Sequence, residues 1–195
     1  MATTYGFEKK KHATPFNMKK FEEAVHYVCS AVTEQDQLGA VKLNKILYFA
    51  DMTSYAETGR SITGATYVKQ FRGPVPTQVV PAIKFLEQEG RLTVSHVSLV
   101  ASKRRQYATA GGTDTKLFEA GELERINDMI RFVCDHTAPE ISDISHHAVW
   151  QAADIGEVLP CETFLVSYAG DIGEKEIAVA QAAVLTAAKD GRKYV

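Results

Sequence analysis

Residues 38–90 read LGAVKLNKILYFADMTSYAETGRSITGATYVKQFRGPVPTQVVPAIKFLEQEG, and this stretch decides the fold. Leu43, Ile46, Leu47, Ala50 and Tyr55 fall on one side of a helix predicted over Ala40 to Glu57, with Val41, Tyr48 and Met52 close by. Apolar residues cover so much of its circumference that the helix is expected at the centre, touched from several directions. Gly59 suits an αL cap at its end. Ala65 to Arg72 alternates and is rich in Thr, Tyr, Val and Phe, which predicts a strand. Gly73-Pro74 is expected to stop the ladder, because proline has no N–H to donate. Pro76 or Pro81 then opens a helix carrying Val79, Val80, Ile83, Phe85 and Leu86, closed before Gly90.

On the N-terminal side, residues 1–15 are polar and read as a flexible arm, followed by a single domain over 16–195. Phe21, Ala24, Val25, Val28 and Val32 form one helical stripe behind an Asn17 N-cap. On the C-terminal side, Arg91–Val100 and Arg105–Thr109 are β-prone. They predict a hairpin joined through Ala101-Ser102-Lys103-Arg104, in the position of a wing. Leu123, Ile126, Ile130 and Val133 predict a helix over Ala120–Cys134. Thr137 with Glu140 fits a capping box that opens a helix running through Ile141, Ile144, Ala148 and Val149. Residues 156–164 read as irregular, and Glu174–Lys189 as an alanine-rich helix. The expected class is α+β, a mostly helical single domain with a small antiparallel sheet or hairpin.

At 195 residues the chain is long enough to bury a core without disulfides or metals. A net charge of −2 gives no global drive toward nucleic acid or anionic lipid. Three cysteines at wide spacing argue against a disulfide framework and for reduced thiols in the cytoplasm. No apolar run follows Lys9-Lys10-Lys11 as a secretory signal requires, and no stretch predicts a membrane span. Charge is uneven nonetheless. Residues 1–20 hold five lysines against one acid, whereas 112–145 hold eight acids against three basic residues, an asymmetry suited to steering a partner.

Reaction chemistry is sparse in this sequence. Cys134, His136, His146, His147 and Cys161 lack the spacing of a zinc site, and adjacent helical His146 and His147 would point about 100° apart. There is no Gly-x-Ser-x-Gly elbow and no glycine-rich phosphate loop, so neither a catalytic residue nor a cofactor is expected. Lys103, Arg104 and Arg105 on the hairpin, with the basic arm, offer an alternative as a DNA-binding regulator.

Three blocks carry a resemblance. Lys42-Leu43-Asn44-Lys45-Ile46-Leu47-Tyr48-Phe49-Ala50-Asp51 comes first, and Tyr67 to Pro76, ending in Arg72-Gly73-Pro74-Val75-Pro76, second. Ile141-Ser142-Asp143-Ile144-Ser145-His146 with Trp150 is the third. Together they resemble the Panacea-domain family, the SocA-like antitoxins of bacterial and phage toxin–antitoxin pairs, over about residues 20–160. Departures are Asn44 and Ile46 in the first block, and Pro76 directly after Val75 where the family has Gly-Pro-Val-x-Pro. The resemblance implies a non-enzymatic module that binds a cognate protein toxin encoded nearby and neutralises it, by occlusion or by delivery to a protease. Arg72 on its rigid turn is then the expected partner contact, with Lys45, Tyr48, Tyr55 and Tyr67. The competing reading is an Arg72 ion pair with Asp51. Gly73, Pro74, Val75, Pro76, His146 and Trp150 are expected to be structural.

Overall fold

The computed structural model describes residues 14–34, 36–99 and 102–164. The N-terminal arm up to residue 13, its lysines, and the Glu174–Lys189 segment lie outside them. Among the described residues no helix is long and apolar enough to cross a membrane.

Helix α1 (Met18–Ala31) begins where Asn17 accepts a hydrogen bond from the Lys20 N–H at 3.0 Å. Its stripe is buried as expected, Phe21, Val25 and Val28 completely. The same helix also buries charge. Lys20 reaches Glu122 at 2.7 Å, and Glu23 takes the Arg91 guanidinium in a two-pronged pair at 2.6 and 2.8 Å. Arg91 and the Asp114 N–H hold the Glu23 carboxyl below its ordinary range, against the opposing effect of burial.

Helix α2 (Ala40–Thr58) ends on Gly59, whose φ of 73° lets its N–H return to Tyr55 O. It packs against α1, α4 (Glu122–Cys134), α5 (Ala138–Ile144) and the small sheet, the central place its all-round apolar pattern requires. Helix α3 (Val79–Gln88) packs on α1 and leads into a two-stranded sheet of β3 (Leu92–Leu99) and β4 (Ser102–Thr109). Pro81 is the third residue of α3, still in the first turn, where a missing N–H is harmless.

Four expectations need correction. The chain does not leave the sheet at Gly73-Pro74: β1 (Tyr67–Gln70) turns through Phe71-Arg72 and returns as β2 (Gly73–Pro76), pairing Tyr67 with Pro76 and Gln70 with Gly73. Proline is tolerated because β2 is an edge strand. Thr77 N–H donates inward to Thr66 O at 2.9 Å, so by alternation Pro74 and Pro76 turn their nitrogens to the open side. The irregular 156–164 segment contains β5 (Val158–Leu159), which pairs with β1 and completes the sheet in the order β2-β1-β5.

The helix opened by the Thr137–Glu140 capping box stops at Ile144, and a separate helix α6 (Ala148–Ala152) follows. His146 and His147 therefore sit in a junction rather than on one helix. Finally, Lys103, Arg104 and Arg105 belong to β4, with Lys103 opposite Ser98, so they flank the reversal instead of forming its tip. The overall class stands: a mostly helical α+β domain with small antiparallel sheets.

Candidate functional site: a buried lysine under a hairpin

The three blocks that lie far apart in sequence meet around Lys45. Because α2 is apolar on nearly every side, a lysine in its middle is carried into the interior, and Lys45 is only 1% exposed. Its Nζ donates to one acceptor among the described residues, Pro74 O on the outward side of β2, at 3.3 Å. Burial lowers its pKa from the ordinary value near 10.5 to about 7. The edge carbonyl that β2 would otherwise leave open is thereby taken.

Gly73 makes this approach possible. Its φ is 98°, and a Cβ there would run into Lys45 Nζ and Ser145 Oγ. Ser145, fully buried, donates its hydroxyl to Ser142 O at 2.7 Å, closing the last turn of α5. The α5–α6 junction then delivers the two histidines in different directions. His147 Nε2 lies 2.5 Å from the Tyr48 hydroxyl, with the two rings stacked. Burial, with Lys45 and His146 adding to it, pushes the His147 pKa down to about 4. The imidazole is thus neutral and shares a hydrogen bond with the Tyr48 hydroxyl. Tyr48 itself is held well above its ordinary pKa by burial.

His146 stacks face to face on Trp150 at 3.6 Å between ring centroids. Trp150 Nε1 donates to Gln70 O at 3.2 Å, and Lys69 sits 4.2 Å over the indole while donating to Ala153 O. The hairpin is therefore clamped on both strands, beside each end of its two-residue reversal. Two buried polar atoms at the junction, His146 Nε2 and His147 Nδ1, have no hydrogen-bond partner among the described residues.

Behind this cluster, Asp51 organises the entry to β1. Its carboxylate accepts from Thr63 N at 2.8 Å, Thr63 Oγ1 at 2.6 Å and Tyr67 OH at 2.8 Å. Burial raises its pKa and these hydrogen bonds oppose that rise. Asp51 is thus fully engaged, and the Arg72–Asp51 ion pair of the competing reading does not form.

Arg72 is instead exposed at the hairpin tip beside Phe71, which is 80% exposed. Tyr55 is half-buried. Tyr48, Tyr67 and Lys45 are each 1% exposed, so a partner docking on this conformation meets none of the three. They support the surface from beneath. Sealed from solvent, the Lys45 amine and the Ser145 hydroxyl brace the backbone of the corner.

The basic run on β4 is also partly committed. Arg104 is half-buried and donates to Asp36 O at 2.6 Å, while Arg105 is exposed. His136 donates through Nδ1 to Phe132 O at 2.7 Å. Among the described residues no group of three or more His, Cys, Asp or Glu side chains is arranged to hold a metal ion.

The sequence reading gave Gly73, Pro74, His146 and Trp150 a structural part without joining them; the structure brings them to one corner together with Ser145 and His147, and adds Phe71 at its tip. For Lys45 a signal was available: a lysine inside a helix with no polar face must be buried. A family model described as antitoxin SocA-like, Panacea domain, matches residues 43–151, more than half of the chain, and takes in all three blocks except Lys42. No curated protein and no solved structure matches the chain.

Proposed function

Because the chain belongs to the SocA-like antitoxin family with its Panacea domain, we propose that it is a non-enzymatic antitoxin of the cytoplasm. In this reading it binds a protein toxin encoded beside it and blocks that toxin by direct contact. The observation that carries the reading is spatial. The matched region is the region whose three blocks converge on Lys45, and the product of that convergence is a braced hairpin corner facing solvent. Chemistry buried beneath a braced surface suits recognition, since a preformed surface loses little entropy when it docks.

The test is co-expression with the product of the adjacent reading frame. The expected result is a complex that co-elutes in size-exclusion chromatography, together with rescue of toxin-arrested growth. Separate elution with no rescue refutes the reading. Occlusion and delivery to a protease separate by the toxin's half-life in the same cells: occlusion leaves it unchanged, and delivery shortens it.

A further inference from the structure

Phe71 is the most exposed of the large hydrophobic residues described, 80% against at most 50% for the others. It stands at a hairpin tip, where polar turn residues are usual, and folding gives no reason for an aromatic ring there. Its neighbour Arg72 is exposed too and makes no ion pair or hydrogen bond among the described residues. The backbone on either side is nevertheless pinned, through Gln70 O by Trp150 and through Pro74 O by Lys45.

Two of the remaining six exposed hydrophobic residues border the same corner. Ile144, 43% exposed, precedes the Ser145 that abuts Gly73. Ile155, 48% exposed, lies in the turn whose Gly156 N–H donates to Lys69 O. Strand addition to this corner is closed off, because the prolines of β2 present no N–H to an incoming strand. Contact must run through the side chains at the tip.

We propose that Phe71 and Arg72 are the anchor of the toxin contact, Phe71 entering an apolar pocket on the toxin and Arg72 pairing with a carboxylate at its rim. The charge on Arg72 and the absence of an intramolecular partner for it select an acidic rim; the bare ring selects an apolar floor. Aromatic and arginine side chains are the residues most enriched at such anchors. The inference rests on the antitoxin reading above, and it goes further by naming the residue pair and the chemistry of the surface they meet.

The full chain is titrated with the purified product of the adjacent reading frame, using wild type, Phe71→Ala, Arg72→Glu and, as a control at an exposed site away from the corner, Phe85→Ala. Phe71→Ala is expected to weaken the dissociation constant at least about tenfold, and Arg72→Glu at least as much. Phe85→Ala is expected to bind as wild type, and all variants to keep the wild-type melting temperature. Absence of a complex with wild type overturns the antitoxin reading and the anchor together. A complex retained by both Phe71→Ala and Arg72→Glu overturns the anchor alone. Loss of a wild-type self-associated form on Phe71→Ala, with toxin affinity unchanged, assigns the tip to a second copy of this chain and likewise overturns the proposal.

Discussion

Replacing Gly73 by alanine tests the corner more sharply than any surface change. Two independent penalties apply. At a φ of 98° an L-residue sits in a region that costs about 1–3 kcal/mol to occupy. The added Cβ also meets Lys45 Nζ and Ser145 Oγ, an overpacking of about 1–3 kcal/mol. The expected loss is about 2–6 kcal/mol, measured as the shift in urea midpoint at constant m-value by circular dichroism. Lys45→Ala in the same chain separates the two penalties. Truncating Lys45 removes one of the two clashing groups and leaves the backbone strain, so the double variant should be less destabilised than the sum of the singles by about 1 kcal/mol or more. A loss under about 1 kcal/mol for Gly73→Ala refutes the strained-corner account. Strict additivity of the pair refutes the contact between Gly73 and Lys45.

Lys45→Met tests the buried amine through pH. The unfolded lysine binds a proton below about 10.5, whereas the native amine stays neutral down to about 7. Between those limits the unfolded state holds more protons, so stability should rise with pH in this window. Comparing wild type with Lys45→Met between pH 7 and 9.5 by urea denaturation should reveal an extra wild-type gain of up to about 3 kcal/mol; identical slopes refute it. Asp51→Asn leaves an amide N–H facing donors from Thr63 and Tyr67 and should cost about 2–4 kcal/mol in thermal denaturation, with a loss under about 1 kcal/mol counting against the network. Arg72→Ala, at an exposed tip, should change stability by less than about 0.5 kcal/mol yet weaken growth rescue. Parallel loss of stability and rescue would make Arg72 structural.

The legible parts of this fold were those set by local chemistry. Asn17, Gly59 and the Thr137–Glu140 box act within one turn of chain, and each caps its helix as the residue types dictate. The misread parts depend on distant partners. Proline at 74 and 76 argues against a strand until β1 is known to lie on one side only, since a proline two residues from another keeps both nitrogens on the same edge. The two residues of β5 are too few to show an alternation, and only β1 makes them a strand. Ile141 to Val149 keeps an apolar spacing across a break at His146-His147 that periodicity alone does not reveal. Phe71 and Arg72 both fell within the β-prone run Ala65 to Arg72, and only the return of β2 makes them the reversal. Tyr48 and Tyr67 looked amphipathic and proved to be core, each hydroxyl satisfied internally.

The blunted margins of the three-stranded sheet have a consequence for how such a protein changes over generations. One margin is closed by prolines and the Lys45 amine, and the other is only two residues long. Neither margin of this sheet therefore offers a long backbone ladder to an incoming strand. On the proposed reading, recognition at this corner falls to side chains on a turn, which tolerate exchange far better than a pairing register does. On that reading, a few substitutions at the tip would redirect the molecule to a new target while the interior that holds the tip in place is inherited intact.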